Sequence, residues 1–140
     1  MSLRCLGRDA DATDAFEQAL RQRGDTAGAS PIARAGSPAA RETARREVLR
    51  NRLDRLLQAR RRGWTQANAI AETYAELADS AATLAWLDSA SAEGSFYLHD
   101  VPFDPLYDFV RGDARFERFI RALPWRPSLT YADVKLALRR

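Results

Sequence analysis

The side chains with the plainest capacity for chemistry are His99 and Asp100, which set the only imidazole of the 140-residue chain beside a carboxylate. Such a pair can carry a proton to or from a substrate when a reacting group is held within hydrogen-bond reach. No Ser or Cys in a nucleophile turn motif lies near it, so the pair reads as structural. Cys5 is the single cysteine. It has no intrachain disulfide partner, and one Cys with one His cannot complete a zinc site built from nitrogen and sulfur alone. It reads as a small, unreactive core residue in a reducing compartment. Carboxylates are plentiful, but none stands at helical spacing from the histidine, and no glycine-rich phosphate loop is present. These patterns predict a chain that is not an enzyme, with no catalytic, cofactor-binding or metal-binding residues.

The second chemical feature is charge. Between Arg41 and Arg62 nine Arg stand against Glu42, Glu47 and Asp54, so this segment carries about +6 and the rest of the chain about −3 of the net +3. Nine guanidiniums along one helix could neutralise phosphates and give salt-sensitive nucleic-acid binding, which is the alternative function to be weighed. They are spread around much of the helix and interleaved with acids, and no helix-turn-helix or zinc signature accompanies them. A solvated face is the simpler reading, and nucleic acid is not the expected partner. Trp64, Trp86 and Trp125 likewise favour packing over base stacking.

The elements that must position these residues are helical. From Ala10 to Arg23, Ala12, Ala15, Phe16, Ala19 and Leu20 recur at three- and four-residue steps, and Gly24 stops the pattern. Residues 24–37, with Gly24, Gly28, Pro31 and Gly36, predict a flexible internal loop. Ser37 before Pro38 supplies a cap and a first-turn residue for a long helix ending at Gly63, with a stripe of Ala44, Val48, Leu49, Leu53, Leu56 and Leu57. A third helix from near Thr65 buries Ala67, Ile70, Ala71, Tyr74 and Leu77. Asp79 caps a fourth, which carries Ala82, Leu84, Ala85, Trp86, Leu87 and Ala90 and ends at Gly94. Asp104 before Pro105 and Asp113 before Ala114 predict two short helices, and Thr130 with Asp133 predicts a last one through Leu138 in an extension over 124–140. No alternating strand pattern of useful length appears. The fold class is therefore all-α, with about six or seven helices in a single domain over 1–140. No run of about twenty apolar residues and no secretory leader is encoded, which predicts a cytoplasmic protein without a membrane partner.

Helix pairs with small residues at their contacts and large ones filling the gaps resemble tetratricopeptide repeats. Ala71, Tyr74, Ala78, Leu84, Leu87 and Ala90 fall where such a repeat places its small residue, aromatic, turn and second-helix core, with Thr83 standing in for the usual small residue after the turn. Gly7, Ala12, Phe16 and Ala19 match the turn and second helix of an earlier repeat whose first helix would precede Met1. This carries the expectation that the chain is a piece of a longer protein, or else an array with an abnormal start. More specifically, Leu53 to Leu123 resembles the final segment of bacterial tetratricopeptide arrays attached to regulators, kinases and cyclases. The resemblance rests on LDRLLQARRRGW from Leu53, IAETYAELAD from Ile70, LAWLDSA from Leu84 and VPFDPLYDFVRGDARFERFIRAL from Val101. It implies antiparallel, superhelically stacked helix pairs and a scaffold that binds another protein or peptide. It also implies that Phe103, Asp104, Leu106, Asp113, Arg115 and Phe116 close the array. By the same resemblance the partner-binding groove is lined by Thr65, Asn68, Glu72, Ala75 and Glu76, a polar and acidic set suited to a basic or amide-bearing partner. A missing first helix would leave Phe16 and Leu20 partly uncovered, from which homodimerisation through that end is a further expectation.

Overall fold

A computed structural model describes residues 9–123. The expectations placed on Cys5, Gly7, Trp125 and the extension over 124–140 lie outside the described residues. Within them the chain is all-α, with six α-helices, two short 3₁₀ helices and no strand. The described chain gathers into two compact units, divided between Arg55 and Leu56.

The first unit holds α1 (Asp9–Gln22), α2 (Thr26–Arg34) and most of α3 (Pro38–Arg61). The loop expected over 24–37 is corrected here, because Thr26–Arg34 is helical despite Gly28 and Pro31. Two effects outweigh those breakers. Asp25 caps the helix by accepting the Gly28 N–H at 2.8 Å, and burial of Ala29 and Ile32 gives the short helix an apolar face. The glycine is part of the cap, since a Cβ at position 28 would lie 2.9 Å from the Asp25 carboxylate. α3 begins as expected, with the Ser37 hydroxyl accepting the Ala40 N–H at 3.2 Å.

Polar contacts tie α1 to α3. Arg41 reaches Asp14 at 2.5 Å and Glu17 at 2.9 Å, and Thr13 donates to Glu42 at 3.1 Å. Arg45 is only 2% exposed, its guanidinium 5.1 Å from the Phe16 ring centroid and 3.5 Å from Glu42. Arg21 foremost, and Arg41 with it, hold the Glu17 carboxyl below its ordinary range against a desolvation that pushes the other way. Phe16 and Leu20, expected to be partly uncovered, are half-buried.

The second unit is built on α4 (Ala67–Glu76) and α5 (Ser80–Ala92), a packed pair joined by three residues, followed by 3₁₀ helices at Phe96–His99 and Pro105–Val110 and by α6 (Ala114–Ala122). Ala67, Ala71 and Ala75 bring α4 close to Leu84, Leu87 and Ala90 of α5. Leu98, Val101, Tyr107, Val110, Phe116, Phe119 and Leu123 complete the core, with Trp86 packed on its edge. Thr73 and Thr83 are buried without loss, because each hydroxyl bonds the carbonyl four residues back, at 2.9 and 2.6 Å. The caps expected at Asp79, Asp104 and Asp113 are present, accepting from Ala82, Leu106 and Arg115 at 3.0, 2.8 and 2.7 Å. Arg111 then fastens the end motif, donating to Asp108, the Pro102 carbonyl and the Asp104 carbonyl at 2.5, 2.7 and 2.8 Å.

Candidate functional site

The residues most available for recognition lie at one end of the second unit, where α4 begins and α5 ends. Gln66, at the N-cap of α4, makes no side-chain capping bond. Its place is taken from a distance by Glu93, just beyond α5, whose Oε2 accepts the Ala67 N–H at 3.1 Å. The other carboxylate oxygen of Glu93 pairs with Arg60, and Arg60 also donates to the Thr65 carbonyl at 3.2 Å. One carboxylate therefore clasps the end of α3, the start of α4 and the end of α5.

Exposed aromatic rings follow closely in sequence on the clasp residues. Trp64, three residues before Ala67, is 73% exposed, and Phe96 and Tyr97, just after Glu93, are 78% and 59% exposed. Backbone geometry presents them. Gly63 takes a left-handed φ of +73°, closing α3 and letting the Trp64 N–H bond the Ala59 carbonyl at 2.9 Å, which throws the indole clear of the helix. Arg62 lies over that indole, 5.3 Å from its centroid. Phe96 meets Tyr97 edge-on at 6.3 Å and His99 at 4.6 Å. His99 bonds the Phe96 carbonyl through Nδ1 at 2.6 Å and lies 3.2 Å from Asp100. The imidazole thus bridges the Phe96 carbonyl and the neighbouring Asp100 carboxylate. Two buried polar atoms at the same end, Asn68 Oδ1 and Ser95 Oγ, have no hydrogen-bond partner.

Of the groove residues expected, Asn68, Glu72 and Glu76 stand at four-residue steps on one face of α4, with Thr65 just before the helix. Thr65 and Asn68 are half-buried at the aromatic end, while Glu72 and Glu76 are half-buried further along the helix. Ala75 is corrected: at 4% exposure it belongs to the core against α5 and offers nothing to a partner. Trp64 also departs from its expected packing role. Its position after a helix-ending glycine was the available signal, since that glycine fixes a turn that projects the next side chain. For Phe96 and Tyr97 the sequence offered only two adjacent rings, which cannot share one buried stripe.

The arginine-rich helix is less uniformly a solvated face than expected. Arg41, Arg45 and Arg60 are engaged with Asp14, Glu17, Glu42 and Glu93, whereas Arg50, Arg55, Arg61 and Arg62 are exposed. In the first unit a groove of about 290 Å³ opens between α2 and α3, bounded by Asp25, Gly28, Pro31, Ala44, Val48 and Arg55. Among the described residues no group of three or more His, Cys, Asp or Glu could hold a metal ion, and no helix is long and apolar enough to cross a membrane. Comparison with known proteins yields no match among family models, curated proteins or solved structures.

Proposed function

We propose that the chain is a protein-interaction module of tetratricopeptide type, working in the cytoplasm as part of a bacterial regulatory or signalling protein, and that it binds rather than catalyses. The observation that carries this reading is the exposure of three large rings, Trp64, Phe96 and Tyr97, each within a few residues of the Glu93 clasp in sequence. Large aromatic side chains left in water on a rigid support are the commonest anchors of protein interfaces, because each buries much area while losing few torsions. The support here is fixed by two capped helices and a shared carboxylate, so the rings are presented without a large ordering cost.

The test is site-specific photo-crosslinking in cells of the native host, with a benzophenone side chain placed at position 64, 96 or, as a control, at exposed Gln58. Discrete higher-mass adducts from positions 64 and 96, absent from position 58, are the expected result. An adduct pattern that is the same at all three positions removes the reading.

A further inference from the structure

Resting on the proposed binding role, we propose that the end surface formed by Trp64, Phe96 and Tyr97 takes an acidic peptide segment bearing apolar anchor side chains, and that Arg61 and Arg62 select its charge. Around the clasp the Glu93 carboxylate is consumed by Arg60 and the Ala67 N–H, so it offers no spare negative charge to a ligand. Asp100 lies 3.2 Å from His99 and is largely exposed. Arg61 and Arg62 are exposed, and neither meets a carboxylate among the described residues. Besides the Asp100 carboxylate, this end offers three exposed rings and two guanidiniums, a positive balance.

Arg62 is moreover positioned. Lying over the Trp64 indole, it keeps its charge at the border of the apolar patch instead of sweeping through solvent. An apolar anchor entering beside Trp64 would carry a flanking carboxylate within reach of the fork, and displacement of water by the anchor would strengthen that pairing. A basic segment meets the opposite situation, two like charges at the rim of its own binding site.

The probes are three synthetic 12-residue peptides that share one Phe and one Leu and differ in flanking residues, Glu and Asp in one, Ser in the second, Lys in the third. They are titrated into the ¹⁵N-labelled full chain to millimolar concentration. The acid-flanked peptide is expected to shift the Gly63, Trp64 and Gly94 amides and the Trp64 indole, and to bind at least about 10-fold tighter than the Lys-flanked one at low salt, an advantage that shrinks as salt is raised. The double variant Arg61→Glu/Arg62→Glu should reverse the order of the acid- and Lys-flanked peptides, a gain that a merely unfolded protein cannot produce. Trp64→Ala should weaken all three alike. Equal or tighter binding of the Lys-flanked peptide, shifts centred away from these residues, or no shift with any peptide overturns the proposal. So does a dT12 oligonucleotide that moves the same resonances at lower concentration than the acid-flanked peptide. Crosslinks at positions 64 and 96 without any charge preference would sink this inference while leaving the binding role standing.

Discussion

Tyr107 lies in the core of the second unit, and burial first, then the charges of Glu72 and Asp104, push its ionisation well above the ordinary value near 10. The unfolded chain releases that proton near pH 10 while the folded chain retains it. The stabilisation is therefore complete below pH 10 and is lost as pH rises beyond it, by up to about 1.4 kcal/mol per pH unit for one proton. Thermal melts should show a midpoint that falls between pH 9 and 11.5. Tyr107→Phe should leave the midpoint at pH 7 within about 1 kcal/mol of the parent, in the range of volume-conserving core exchanges, and flatten the alkaline fall. An equally steep fall in the variant would mean that another group is responsible. At this scale the sequence was readable where a residue acts on its immediate neighbours, as Ser37, Asp79, Asp104 and Asp113 do in capping. It was not readable for Arg45, whose burial depends on Phe16 from another helix, nor for Arg111, which bonds carbonyls seven and nine residues back across a turn.

The two helix pairs share one kind of joint. In each, the first helix ends on a left-handed residue, Gly24 at φ +77° or Ala78 at φ +58°, and the next residue, Asp25 or Asp79, bonds back to the old helix through its N–H while its carboxylate caps the new one. Glycine adopts that conformation without strain, whereas an L-residue in it costs roughly 1–2 kcal/mol. Ala78 is exposed, so Ala78→Gly changes little besides this cost and the freedom of the unfolded chain. Urea unfolding should show a gain of up to about 1 kcal/mol, and a loss would mean that the alanine methyl makes a contact worth more than its strain. Element boundaries set by such local signals were legible. α2 was not, because Gly28 and Pro31 signal a break at short range while the burial of Ala29 and Ile32 is decided by tertiary packing.

At the scale of the molecule, composition and period were enough for an all-α chain, but total apolar content does not reveal how the buried residues are divided. Leu49 and Leu53 serve the first unit, and the thirteen-residue cluster from Ala67 to Leu123 serves the second. The two units are expected to respond differently to a change in the cluster of the second. Leu87→Ala opens a cavity in the second core and should cost about 2–5 kcal/mol there. In native-state hydrogen exchange it should lower the protection of α4, α5 and α6 amides while those of α1 and α2 change much less. A uniform loss across both units would show that they unfold as one. The hairpin joints carry a further consequence for how the chain tolerates change in length. Since stop and start are written in adjacent residues, one amino acid inserted between Gly24 and Asp25, or between Ala78 and Asp79, would uncouple them and splay the pair, whereas the 3₁₀-rich stretch after Gly94 has turns that can absorb an insertion without parting two helices.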